Sequence, residues 1–160
     1  MTPVHPDTLA ALTSGIQSEV ASYVFYLEAA KKTDAGRHRE TLKGLALEEK
    51  EHFRVLEGQY DSLVRSEKWI STADILKQEG LPEITEEMSH EHQQLIDEVA
   101  GAESLAAILD IAYRLEEEAH NLFASAAEKV DSEAGRQMFR QLAKFEEGHM
   151  KKIAEMKAAL

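Results

Sequence analysis

Four residues recur in two halves of this chain at one constant step. Glu19, Tyr26, Glu49 and His52 correspond to Glu116, Phe123, Glu146 and His149, each pair 97 positions apart. In Glu49-x-x-His52 and Glu146-x-x-His149 a carboxylate and an imidazole lie three residues apart, so on a helix they share a face and can reach the same ion. Glu19 and Glu116 each precede their Glu-x-x-His pair by 30 residues and can bridge or cap such an ion. Four buried carboxylates without compensation would cost several kcal/mol apiece. Two divalent cations beside two neutral imidazoles bring that local charge to zero. A mixed oxygen and nitrogen donor set suits iron or manganese better than a thiolate metal or calcium, without choosing between the two.

These residues need four long helices to position them. Apolar or small residues alternate by three and four along Leu12, Ile16, Tyr23 and Ala30, along Leu42, Leu45 and Leu56, along Leu105, Leu109, Ala112, Ala119 and Ala126, and along Phe139, Leu142, Ile153 and Met156. In each stripe the Glu or His sits where the seam asks for Leu. Glu48 and Glu147, one position off the seam, are expected to take no part. Matches at the same step, including Leu12/Leu109, Ala29/Ala126, Arg39/Arg136 and Leu45/Leu142, mark a duplicated helical hairpin. Pro6 and Asp7 suit a helix start, Asp34-Ala35-Gly36 and Asp131-Ser132 break the two hairpins, and Ser104 can cap a third helix. The expected organisation is one all-α four-helix domain over residues 1–160: hairpin 1 at about 6–65, a crossover at about 66–103, and hairpin 2 at about 104–160. Within the crossover, a short helix after Thr72, the breaker Gly80-Leu81-Pro82 and a weakly amphipathic stretch at 85–99 are expected. Two hairpins of the same sense need such a long return.

Other residues fit the chemistry less tightly. Glu87-x-x-His90 and Glu117-x-x-His120 match the same pattern but read as solvated helix faces. Tyr26, seven residues after Glu19, could hydrogen-bond a ligand or a bound oxygen species, or be a packed tyrosine bonded to a carboxylate; Phe123 lacks that hydroxyl. His120, four residues after Glu116, is a candidate donor to a ligand, with direct ligation and simple exposure as alternatives. His90 and His92 read as surface, and Met88, Met138, Met150 and Met156 as core or interface filler. A net charge of −12 argues against a nucleic-acid partner. The absence of cysteine excludes disulfides and cysteine-ligated centres. Residues 1–7 do not read as a signal peptide, and no apolar run approaches membrane-spanning length, so a cytoplasmic location is expected.

The pattern resembles the ferritin-like superfamily of di-iron carboxylate proteins, where two helices each give a Glu and two each give Glu-x-x-His. More narrowly, EVASYVFYLEAA from Glu19 to Ala30 and LEEKEH from Leu47 to His52 look like the first two helices of the rubrerythrin group. The resemblance covers the four long helices and leaves the crossover unmatched. It implies an antiparallel ferritin-like bundle in which Glu19, Glu49, His52, Glu116, Glu146 and His149 ligate two irons, with manganese or a mixed pair as variants. It also implies reaction with dioxygen or hydrogen peroxide. Full-length rubrerythrins carry a cysteine-ligated rubredoxin domain, so a chain without cysteine needs an external electron donor. They also tend to have a second Glu three residues after the third-helix ligand, where this chain has Ala119, which implies a more symmetric, ferroxidase-like site. A homodimer or larger homo-oligomer is expected. Three functional classes follow: a di-iron oxidoreductase, an iron storage or delivery protein with a ferroxidase-type centre, and a purely structural bundle.

Overall fold

Side-chain acceptors near the helix starts set where the chain begins to coil. In the computed structural model, which describes residues 4–78 and 83–160, α1 runs Pro6–Lys32 with Pro6 in its first turn and the His5 ring accepting from the Asp7 amide at 3.1 Å. The next long helix, α2 (Arg37–Ser66), follows Gly36, whose φ of 144° only glycine adopts without strain. Ser104 caps α6 (Leu105–Lys129) and Ser132 caps α7 (Glu133–Ala158), each accepting from the amide three residues on. Short breaks after Lys32 and Lys129 fold α1 onto α2 and α6 onto α7 as antiparallel hairpins, which meet mainly along α1 and α6. The result is an all-α, ferritin-like four-helix bundle, with no strand among the described residues.

The crossover contains α3 (Thr72–Lys77), α4 (Glu86–His90) and α5 (Gln93–Gly101). The short helix expected after Thr72 is α3, and the 85–99 stretch forms two helices rather than one; Gly80-Leu81-Pro82 lies outside the described residues. Both ends of the crossover are tied down. Gln59 brackets Ile70 by donating to its carbonyl at 2.6 Å and accepting from its amide at 3.1 Å, and fully buried Ile75 seats against Gly58 of α2. At the far end the Lys32 ammonium donates to the carbonyls of Val99, Ala100 and Ala102, satisfying the exposed C-terminus of α5.

Two large apolar clusters lie along the bundle, and a smaller one of Val20, Val24 and Phe53 packs under the crossover. One of the large clusters is built on Leu12, Leu56, Phe123, Phe139 and Leu142, the other on Phe25, Leu42, Leu45, Leu109 and Ile153. Along every long helix the seam glutamate falls between members of the two clusters: Glu19 between Leu12 and Phe25, Glu49 between Leu45 and Leu56, Glu116 between Leu109 and Phe123, Glu146 between Leu142 and Ile153. Four carboxylates thus occupy one layer, sealed above and below by hydrocarbon. Close approach of α1 to α6 depends on Gly15, where a Cβ would lie 2.9 Å from the Phe123 ring.

Candidate metal centre

All six residues expected as ligands converge in that layer. Glu19, Glu49, Glu116 and Glu146 are at most 1% exposed, and His52 and His149 are also buried. Their donor atoms form two groups, each within 4.8 Å: Glu19, Glu49, His52 and Glu146 in one, and Glu49, Glu116, Glu146 and His149 in the other. Glu49 and Glu146 belong to both groups, so the carboxylates of the Glu-x-x-His pairs are placed to bridge, while Glu19 and Glu116 are each placed to cap one position. His52 Nδ1 lies 3.2 Å from Glu146 and 3.7 Å from both Glu19 and Glu49. His149 Nδ1 lies 2.9 Å from Glu49, 3.3 Å from Glu116 and 3.4 Å from Glu146. The two rings stack with centroids 5.9 Å apart.

The residues fit a pair of cations. Both oxygens of Glu19 and one oxygen each of Glu49, Glu116 and Glu146 are buried without a hydrogen-bond partner. Such groups are rarely left orphaned, and converging on one layer they call for a shared positive charge. Protons supply it in the free protein. Burial, then the charges of Glu146 and Glu49, push Glu19 well above the usual carboxylate range, and burial with the Glu146 contact raises Glu116 to about 7. For Glu146, burial and the Glu49 charge push upward, but hydrogen bonds from Glu116, His149 and His52 outweigh them and hold it low. Burial opposes charging His52, yet its hydrogen bonds to Glu146 and Glu49 raise it to about 9; His149 is raised in the same way by Glu116, Glu146 and Glu49.

Tyr26 is fully buried and its hydroxyl donates to Glu116 at 2.5 Å, across to the other hairpin. Burial, then the Glu116 charge, push its own pKa up, so it stays a proton donor. Its repeat partner Phe123 instead stacks on Phe139 at 6.2 Å. The structure does not bring His120 to the centre: it is half-buried, with its ring 3.4 Å from the neighbouring Asn121 side chain. On α6 the buried seam runs from Glu116 through Ala119 and Phe123, and His120 lies on its flank. His90 and His92 join neither donor group. Met138 lies in the cluster around Phe139 and Leu142, and Met156 packs against the other cluster, around Leu109 and Ile153.

Glu48 was not foreseen. Its Oε2 accepts from His149 Nε2 at 2.6 Å, although it is one position off the seam and half exposed. The available signal was that a ligating imidazole needs an acceptor for its second nitrogen, and the four-residue pattern names none. Above the two histidines, α2 and α7 stand apart, and a cavity of about 720 Å³ opens between them, bounded by Leu76 of α3, Leu142 and Phe145.

Fold and site together define a ferritin-like carboxylate bundle equipped to hold metal. A model of the rubrerythrin family matches residues 10–157, and the chain belongs to that family. Among solved structures it is similar to a hypothetical protein from Pyrococcus furiosus, at 20% identity and a TM-score of 0.68, over 94% of this chain and 88% of that one. Comparison with curated proteins gives no match. Among the described residues no helix is long and apolar enough to cross a membrane.

Proposed function

We propose that this protein is a rubrerythrin-like di-iron oxidoreductase that reduces hydrogen peroxide or dioxygen and draws its electrons from an external donor. The observation that carries this reading is the pair of donor groups sharing Glu49 and Glu146, with orphaned carboxylate oxygens in a sealed layer and both imidazoles at the floor of an open cavity. Two irons bound there would supply two electrons together, as cleavage of a peroxide bond requires. The protein's own part is positioning. Glu49 and Glu146 would fix the spacing of the two positions, Glu19 and Glu116 would close them, and the Tyr26 hydroxyl donates to Glu116 Oε1 and so holds that carboxylate in one orientation. The clusters on either side exclude water, while the gap between α2 and α7 admits a small oxidant to the histidine edges. None of these 160 residues is a cysteine, so a thiolate-bound iron that returned electrons to the centre would lie outside them.

Protein loaded anaerobically with Fe(II) should hold about two irons per chain, the number of positions the ligand rule gives. It should be oxidised by a stoichiometric amount of peroxide, and turn over only when a donor is added. Uptake of iron far beyond the two positions, in an assembly sized as a cage, would replace this reading with storage. A reduced form that ignores both peroxide and dioxygen would defeat it.

A further inference from the structure

The duplication makes position 48 of α2 equivalent to position 145 of α7, and the two residues there have opposite chemistry. Glu48 reaches across to His149 Nε2 at 2.6 Å. Phe145 faces His52 instead, with ring centroids 5.2 Å apart, and every carboxylate paired with His52 among the described residues meets its Nδ1. We infer that Glu48 is a positioning residue for His149, and that it makes the position held by Glu49, Glu116, Glu146 and His149 the tighter of the two metal positions. This rests on the di-metal reading proposed above.

The physical case is a comparison of two imidazoles. Both present Nδ1 to the carboxylate layer, so each ring must keep its remaining proton on Nε2. For His149 that N–H has a charged acceptor, which fixes both the tautomer and the ring plane and makes Nδ1 more electron-rich. For His52 no carboxylate among the described residues reaches Nε2, and the neighbour in the equivalent place is the Phe145 ring, which accepts no ordinary hydrogen bond. An acceptor at that place in a ligating histidine is worth about 10- to 100-fold in metal affinity. Tyr26 adds to the same side by holding Glu116, the cap of the His149 position, whereas neither oxygen of Glu19, the cap of the His52 position, has a hydrogen-bond partner. The His149 position is therefore preorganised twice over.

Co(II) is a suitable probe, because its visible spectrum reports each position as it fills and it requires no oxidant. Titration of the wild-type chain should show two separable steps. Glu48→Ala should weaken the tighter step by about 10- to 100-fold and leave the weaker one in place, so that the steps merge. Glu48→Gln keeps a carbonyl oxygen for Nε2–H and should restore the separation to within a few-fold, which loss of a surface charge alone would not allow. Glu147→Ala, an exposed neighbour of a ligand, should match wild type. The inference is overturned if Glu48→Ala titrates like wild type, if Glu48→Gln is as weak as Glu48→Ala, or if the wild-type steps have equal affinity. Failure of the wild-type chain to bind Co(II) at all would defeat the metal centre itself.

Discussion

Loading the centre with metal should expel protons in a number fixed by the geometry of the free site. Each imidazole must present a bare Nδ1 to an ion, yet in the free protein burial is outweighed by contacts to Glu146 and Glu49 that raise His52 to about 9, and His149 is raised likewise. Both rings are therefore cationic near pH 7.5, and Glu116, at about 7, still carries a fraction of a proton. Filling both positions should release at least about two protons, and the product of the two binding constants should rise at least about 100-fold per pH unit between 7 and 8. Calorimetric titration with Mn(II) in two buffers of different ionisation enthalpy measures the count directly. The sign is fixed: the protons compete with the metal, so affinity rises with pH. Release of fewer than about one proton per two ions would show that the carboxylate layer is not balanced by imidazolium, and the electrostatic account of the centre would fail.

Without metal, the same groups should make the protein less stable as pH rises. His52 has a folded pKa of about 9 against 6.5, so its contribution of about 3 kcal/mol is complete below 6.5 and lost as pH rises through 9; Glu116, at about 7 against 4.5, loses a similar amount between those values. Glu146, held low, opposes this trend only in the acid range, so the metal-free melting midpoint should fall from pH 5 to pH 9, and a rising midpoint would contradict the assignment. Tyr26→Phe should cost about 1.5–3 kcal/mol in urea unfolding, since it removes a buried hydrogen bond to a carboxylate, and a neutral result would reduce Tyr26 to packing. Glu49→Ala or Glu146→Ala should abolish two-ion binding by elemental analysis while Glu147→Ala does not, because only the first two belong to both donor groups. Gly15→Ala should destabilise by about 1–3 kcal/mol through overpacking against Phe123 and Leu56, whereas Gly44→Ala, with nothing within 4 Å, should gain up to about 1 kcal/mol of helix propensity; equal effects would mean that α1 and α6 are not in close contact.

The bundle was legible in the sequence because a seam of period 3.6 broken by Glu and His at a constant step of 97 has few other physical explanations. Side chains three apart on a helix must share a face, so the gathering of Glu49 with His52 and Glu146 with His149 followed from spacing alone. Which glutamates belong to both donor groups did not follow. That depends on how the four helices pack together, which leaves Glu19 and Glu116 in one group each. Glu48 escaped for a related reason. Helical phase places it beside its own seam, but its acceptor role is defined by α7 across a gap, and a flexible side chain spans that gap where a backbone rule sees only rotation. His120 shows the converse: a spacing of four from Glu116 put it near the inward face, but Ala119 and Phe123 hold the buried seam and His120 stays half-buried beside it. In the crossover, weak amphipathicity marked helix at 85–99 without showing that it breaks at His92.

Because Glu49 and Glu146 each reach both metal positions, an ion held between them would act on the chain as a cross-link. The segment it closes spans the constant step of 97 positions from Glu49 to Glu146 and runs through the whole crossover. Tying two points so far apart removes many conformations from the unfolded chain, and a covalent tie around a loop of about 100 residues is worth about 4.7 kcal/mol on polymer-entropy grounds. A coordinated ion differs in being removable. An ion in this centre would therefore also set whether the two hairpins come apart independently or as one, and a chelator would convert a cyclic topology into a linear one without breaking a covalent bond.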